Sequence, residues 1–415
     1  MNEVITLDMI QSAGVGALAL IVGMLLTRKI AFLQKFCIPS PVSGGLLFSI
    51  ATLIIYLVFH IEISFDGTLK DAFMLAFFTS VGYQSNMKVL RQGGKTLVMM
   101  IVLLVIIIVL QNLLPIIITH VMDVNPLIGM AAGSISMAGG HGTAGGFSSV
   151  LEQLGLQGAN TIALAAATFG LIAGSMIGGP IAERLIKKHL TTEHMEPKDF
   201  EVDPAMVGIE SDESTPHGHE KHISTHEQEF QQYASATYAL LIVMAIGTVV
   251  SHFLQHTGIT FPTYFGALVT AAIVRNIAEH TSLKNKLEID KIISVGNISL
   301  SVFLGMAMIS LKLWELQSLA LPLITILVAQ VLLMVILTYF FAFRMLGRDY
   351  DAAILVSGIC GFGLGATPNA MANMSAVCYK YHYSVKPFLI VPIIGAMFVD
   401  LINTGFITLF LNWIK

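Results

Sequence analysis

Gly133-Ser-Ile-Ser-Met-Ala-Gly-Gly-His-Gly-Thr-Ala-Gly-Gly-Phe-Ser-Ser-Val150 decides how this chain folds. Six glycines and the polar Ser134, Ser136, His141 and Thr143 sit here within sequence apolar enough for a bilayer. Each glycine weakens a helix by roughly 1 kcal/mol relative to alanine, and lipid does not solvate the polar groups. The stretch therefore predicts a broken helix, which membrane depth tolerates only where protein or a water-filled cavity surrounds it. The chain repeats the pattern. Ser357-Gly-Ile-Cys-Gly-Phe-Gly-Leu-Gly-Ala-Thr-Pro-Asn-Ala-Met-Ala-Asn-Met374 aligns at an offset of 224 residues, setting Ile135 against Ile359, Gly139 against Gly363 and Thr143 against Thr367. Two interrupted apolar segments at corresponding places in two halves point to the central site of a secondary transporter.

The rest of the composition agrees with a membrane setting. Of 415 residues, 55% are hydrophobic and 12% charged, and the mean hydropathy is +0.78. A soluble domain carries about a quarter charged residues, so the surroundings are a lipid bilayer. A net charge of −4 argues against nucleic acid as a partner. Cys37, Cys360 and Cys378 form no CxxC pattern and read as free thiols. The first apolar run follows Glu3 and Asp8 with no basic region before it, and reads as a retained span.

Apolar runs of spanning length fall at about 10–27, 42–60, 71–87, 96–121 and 160–183, then at about 234–254, 261–278, 292–311, 318–343 and 387–412. A glycine-rich stretch lies between the fourth and fifth run of each half. Five is odd, so the two halves face opposite ways. The predicted fold is an all-α polytopic membrane protein of two inverted five-helix repeats, each with a glycine-rich re-entrant segment. With the N-terminus outside, nineteen of the 22 Lys and Arg residues fall on the cytoplasmic side, leaving Lys70, Lys312 and Lys415, as the positive-inside rule expects. The domain reading is an N-terminal repeat over 1–186, a linker over 187–232 and a C-terminal repeat over 233–415. The linker has eleven Asp or Glu and six histidines, and such sequence buries too little apolar surface to fold alone. It reads as a cytoplasmic tether, with His217-Gly-His-Glu-Lys-His222 the alternative as a divalent-metal stretch.

Glycine lets backbone amides approach a ligand with no side chain in the way. Inward N–H groups and half-helix N-termini bind anions, while freed carbonyls bind small cations. An anionic solute and Na⁺ or H⁺ are the ligands this chemistry suggests. Gly139, Gly140, His141, Gly142, Thr143, Gly363, Gly365, Thr367 and Asn369 are the candidate substrate-binding residues. Asp400 follows Pro387 by thirteen residues, about 20 Å along a helix and so well inside the hydrocarbon layer. Asn403 shares its face, and Asp400, Asn403, Ser136 and Thr367 are the candidate Na⁺ ligands. Two other readings stand beside this one: close packing of small residues, and an intramembrane hydrolase using His141 and Asp400. A hydrolase requires a nucleophile–base pair or a metal set, and no HExxH or GxSxG pattern occurs at membrane depth.

Gly139-Gly-His-Gly-Thr143, Cys360-Gly-Phe-Gly-Leu-Gly-Ala-Thr-Pro368, Leu75-Ala-Phe-Phe78, Leu311-Lys-Leu-Trp-Glu-Leu316 and Gly178-Gly-Pro180 resemble motifs of the bacterial sodium/glutamate symporter family. The resemblance covers nearly the whole chain outside the linker. It departs from the usual Gly-Gly-x-Gly-x-Gly at Ala144. It implies a secondary transporter of the bacterial inner membrane that imports L-glutamate with Na⁺ and needs no organic cofactor. It further implies an elevator-type homodimer with re-entrant loops. A symporter for another small carboxylate is the nearest alternative.

The charge distribution gives a direct test of topology. A cysteine placed in the linker, His219→Cys, should resist an impermeant thiol reagent in whole cells; labelling there would reverse the assigned orientation.

Overall fold

The computed structural model describes residues 3–86, 94–189, 221–256, 261–281 and 287–414. Helices occupy all ten apolar runs. In the first half they are α1 (Met9–Lys29), followed by the short α2 (Ala31–Lys35), then α3 (Ser40–Phe59), α4 (Thr68–Gln84), α5 (Gly94–Val121), α6 (Pro126–Ala131), α7 (Gly140–Gln153) and α8 (Ala159–His189). In the second they are α9 (Lys221–Gln255), α10 (Phe265–Ala278), α11 (Ile289–Ile309), α12 (Ala320–Met345), α13 (Tyr350–Leu364), α14 (Thr367–Lys380) and α15 (Val385–Ile414). Among the described residues, 8 helices are long and apolar enough to cross a membrane. Two of the ten expected runs fall short, α4 with 17 residues and α10 with 14. The run leading into α10 is cut because Pro262 and Thr263 stay outside the helix, where Ser251 Oγ donates to Thr263 O at 2.7 Å and accepts from Gly266 N at 3.0 Å. Pro41, by contrast, sits in the first turn of α3, where its fixed φ and missing N–H are no loss. The expected linker residues 190–220, with His194, His217 and His219, lie outside the described residues.

One feature departs from a purely helical reading. β1 (Glu3–Leu7) pairs in parallel with β2 (Ile61–Phe65), from Glu3 against Ile61 to Leu7 against Phe65. Val4, Ile5, Ile61 and Ile63 are β-branched and favour strand. Between the strands the chain crosses through α1 and returns through α3, so both strands lie at one end of the molecule. Ser12 Oγ ties them to α4, accepting from Asp66 N at 2.9 Å just ahead of that helix.

The helices pack as two bodies. Helices α1, α3 and α4 of the first half pack with α9, α10 and α11 of the second. Helices α5 to α8 pack with α12 to α15. Each half thus gives three helices to the first body, and a helix, a broken pair and a final helix to the second. In the first body the approach is backbone to backbone: a Cβ on Gly23 of α1 would come 2.9 Å from Gly44 N of α3.

The glycine-rich segments break less than their composition predicts. The first break covers 132–139, between α6 and α7, but the second is only Gly365 and Ala366. Ser357 to Leu364 is continuous, fully buried helix. Its glycines serve close approach, with Gly358 against Met374 and Val391, and Gly361 against Ala370. That packing offsets the roughly 1 kcal/mol each glycine costs a helix.

The contact between α1 and α3 is testable. Gly23→Leu should destabilise by about 1–3 kcal/mol, the usual range for overpacking. Gly14→Ala on the same helix meets nothing within 4 Å and should be neutral or stabilising by about 0.5–1 kcal/mol. Thermal unfolding of the purified protein separates the two.

Candidate functional site

The two breaks meet. Gly140, the first residue of α7, has φ +57°, a left-handed conformation that glycine alone adopts without strain. A Cβ there would lie 2.7 Å from the carbonyl oxygen of Gly365 in the second break. The N-termini of α7 and α14 therefore start beside one another, and both face a cavity of about 340 Å³. On the second body its wall is Ala138 to Gly142, Gly365 to Pro368, and Gly395, Ala396, Val399 and Asp400. On the first it is Pro39 and Pro41 of the α3 start, Phe77, Val81 and Gln84 of α4, and Asn297, Leu300, Ser301 and Leu304 of α11. The cavity thus lies on the seam between the bodies.

Among the described residues, Asp400 is the one carboxylate on this wall, and no Lys or Arg joins it. Thr143 Oγ1 donates to Asp400 Oδ1 at 3.2 Å, which couples α7 of the first half to α15 of the second. His141 Nε2 lies 3.0 Å from Thr168 Oγ1. The same hydroxyl donates to Leu164 O at 2.8 Å. With its single proton used there, Thr168 accepts from His141 Nε2–H. Ahead of Asp400, α15 widens into a π-helical turn at Ile394–Phe398. Pro392 lies just before it within the helix, and a proline lacks the N–H of the regular ladder. Gly395 in that turn packs on Thr367, where a Cβ would meet the threonine side chain. Single π turns are frequent at functional sites, and here the turn carries Val399 and Asp400 to the cavity wall.

The structure thus brings Gly139, Gly140, His141, Gly142, Gly365, Thr367 and Asp400 to one wall, with Thr143 directly behind. It sets the other candidates one layer back. Ser136 Oγ lies within hydrogen-bonding distance of Ala131 O at 2.5 Å and Ala163 O at 2.8 Å, holding the first break to α8. Asn403 Nδ2 donates to Ser134 O at 2.9 Å, and Asn112 Oδ1 accepts from Ser134 N at 3.1 Å and Ser134 Oγ at 3.0 Å. Asn369 Nδ2 donates to Leu171 O at 2.8 Å. Gly363 is helical, and its carbonyl accepts from Gln111 Nε2 at 2.6 Å. These groups fasten the breaks and do not line the cavity. Sequence reasoning missed Asn297 and Ser301, a polar pair four apart on helix α11. It also missed Gly395, which Pro392 signals.

Helix α7 presents glycines to the first body. A Cβ on Gly142 would lie 3.2 Å from Phe77 and one on Gly146 would lie 2.7 Å from Tyr264, while Gly145 packs on Phe303. Phe78 and Tyr264 stack with centroids 3.7 Å apart beneath this face. The seam there is largely a glycine surface against aromatic rings, with Phe147 of α7 meeting Tyr264 edge-on at 6.0 Å between centroids.

No group of three or more His, Cys, Asp or Glu gathers among the described residues. A cation at this cavity would therefore rest on one carboxylate, the hydroxyls of Thr143 and Thr367, and backbone carbonyls such as that of Gly365. Such hard oxygen donors suit a small alkali cation better than a transition metal.

Comparison with known proteins gives the family. The family model described as sodium/glutamate symporter matches residues 5–383. The sodium/glutamate symporter of Escherichia coli (strain K12) is 39% identical over 408 residues, 98% of each chain. That of Haemophilus influenzae is 37% identical over 401 residues, 96% of each. Among solved structures, the sodium proton antiporter of Methanocaldococcus jannaschii aligns over 98% of each chain at 13% identity, with a TM-score of 0.44.

The meeting of the breaks is sensitive to one atom. Gly140→Ala should lower stability by about 1–2 kcal/mol for the left-handed backbone alone, and more for the contact with Gly365. Gly179→Ala, which meets nothing within 4 Å, should not. Parallel thermal unfolding of the two variants gives the comparison.

Proposed function

Because the chain belongs to the sodium/glutamate symporter family, we propose that it imports L-glutamate together with Na⁺. It is a multi-pass membrane transporter and not an enzyme. The observation that carries the reading is the convergence of two helix N-termini and one carboxylate on a cavity whose described lining holds no Lys or Arg.

Glutamate brings two carboxylates and one ammonium. Each helix N-terminus offers roughly +0.5 charge and unpaired N–H groups, so α7 and α14 can take one carboxylate each. Asp400 is the partner for the ammonium or for Na⁺, with Thr143 steadying the carboxylate. Charge balance then explains coupling. Glutamate and Asp400 together carry two negative charges, and the two helix ends offset about one of them. A bound Na⁺ removes most of the remainder, so each cargo favours the other's binding.

The transport step we propose is an elevator. The six helices of the first body act as scaffold, and the second body moves along it carrying the cavity. The seam supports this: contacts across it are sparse beside those within each body, and three glycines of α7 rest on aromatic rings, with Phe147 the one aromatic of that helix set against Tyr264. We further propose that the halves (1–186 and 233–415, joined by the 187–232 linker) are inverted repeats whose breaks are re-entrant from opposite faces. The protein would then reside in the bacterial inner membrane with periplasmic termini and a cytoplasmic linker, and work as a homodimer. Uptake of labelled glutamate into proteoliposomes under an imposed Na⁺ gradient tests the function; uptake without Na⁺ dependence would overturn it.

Asp400→Asn keeps shape and removes charge. It should retain the fold and lose most Na⁺-driven uptake, with Na⁺ dependence and glutamate affinity weakening together. Asp400→Glu should keep part of the activity. Wild-type Na⁺ dependence in the asparagine variant would assign the cation to hydroxyls and carbonyls alone.

A further inference from the structure

At the C-terminal end of α8, basic side chains divide into two sets. Glu183 Oε1 accepts from Lys187 Nζ at 2.5 Å and from Lys380 Nζ at 2.7 Å. Those two lysines are thereby neutralised by a shared carboxylate. Arg184 and Lys188, exposed at the same end, have no ion-pair partner among the described residues. They stand at the mouth of a groove of about 450 Å³ between α8 and α12, floored by Ile181, Val335, Tyr339 and Phe340. Lys188 Nζ sits 5.8 Å from the Tyr339 ring centroid, and Phe340 is 52% exposed.

The groove is cationic at one end and apolar along its length. A free anion would leave the apolar floor unused, and a zwitterionic lipid would bring its own cation against Arg184 and Lys188. We propose that this groove holds one anionic phospholipid, with its phosphate between Arg184 and Lys188 and an acyl chain along Val335 and Phe340. Basic pockets between spanning helices recognise such headgroups, and each Lys or Arg near an anionic surface contributes about 1 kcal/mol. The site is separate from the cavity at the helix breaks and shares no residue with it. Both walls belong to the second body, so the bound lipid travels with that body.

The test is native mass spectrometry of the intact protein from detergent micelles titrated with dioleoyl phosphatidylglycerol. The wild type should retain one tightly bound copy, and dioleoyl phosphatidylcholine should not replace it. Arg184→Gln with Lys188→Gln should weaken that copy roughly 30-fold, at about fivefold per charge. The charge-conserving pair Arg184→Lys with Lys188→Arg should keep it. Equal retention by the glutamine variant, or an equal loss in the remote pair Arg28→Gln with Lys29→Gln, would overturn the proposal. Displacement by millimolar glycerol 3-phosphate would also overturn it, because the groove would then be a free-anion site.

Discussion

A peptide group in the hydrocarbon layer has no water to bond with, and each one left unpaired costs several kcal/mol. Everything distinctive in this fold follows from breaking two helices under that constraint. Side-chain amides take up the freed groups at Ser134 and Gly363 and bind the neighbouring helices α5 and α8 to the broken segments. Asn112 and Asn403 hold Ser134, Gln330 donates to Gln111 O at 2.7 Å, and Gln111 reaches Gly363. Asn373 Nδ2 donates to Gly174 O at 2.9 Å beside the Asn369 bond to Leu171. These amides come from α5, α12, α14 and α15, so the breaks can exist only inside the assembled second body. The first body has no broken helix among its described residues and meets itself through glycine contacts.

The amide lattice also frees the cavity wall from structural duty. With the carbonyls bound from behind, the N–H ends of α7 and α14 are left to face the cavity, where their partial charge acts in a medium of low dielectric. Fixed dipoles do this with no desolvated lysine or arginine, whose own burial would have to be offset. The partial charges of the helix ends do not titrate at any physiological pH. Among the described residues, Asp400 and His141 are the titratable side chains on the cavity wall.

Much of this was legible in the sequence. The ten apolar runs, the two glycine-rich segments and the place of Asp400 at a shared site follow from hydropathy, spacing and the rarity of carboxylates at that depth. The number of glycines misled at the second break, where Gly358, Gly361 and Gly363 stay helical. A glycine that opens a helix and one that admits a neighbour look alike until the neighbour is known. Asn403 and Asn369 show the same limit: spacing puts a polar group on a face, but the carbonyl it meets belongs to a distant segment. Asn297 and Ser301 face the cavity from the other body, so no pattern local to the breaks could reveal them.

The small parallel sheet has a consequence for biosynthesis. β1 leaves the ribosome first, yet its partner β2 follows only after α1 and α3 have both been made. A parallel pair cannot close as a hairpin; here the chain must traverse the bilayer twice before the strands share an aqueous face. Closure of the sheet therefore has to follow α1 and α3, and it ties the start of α1 to the end of α3.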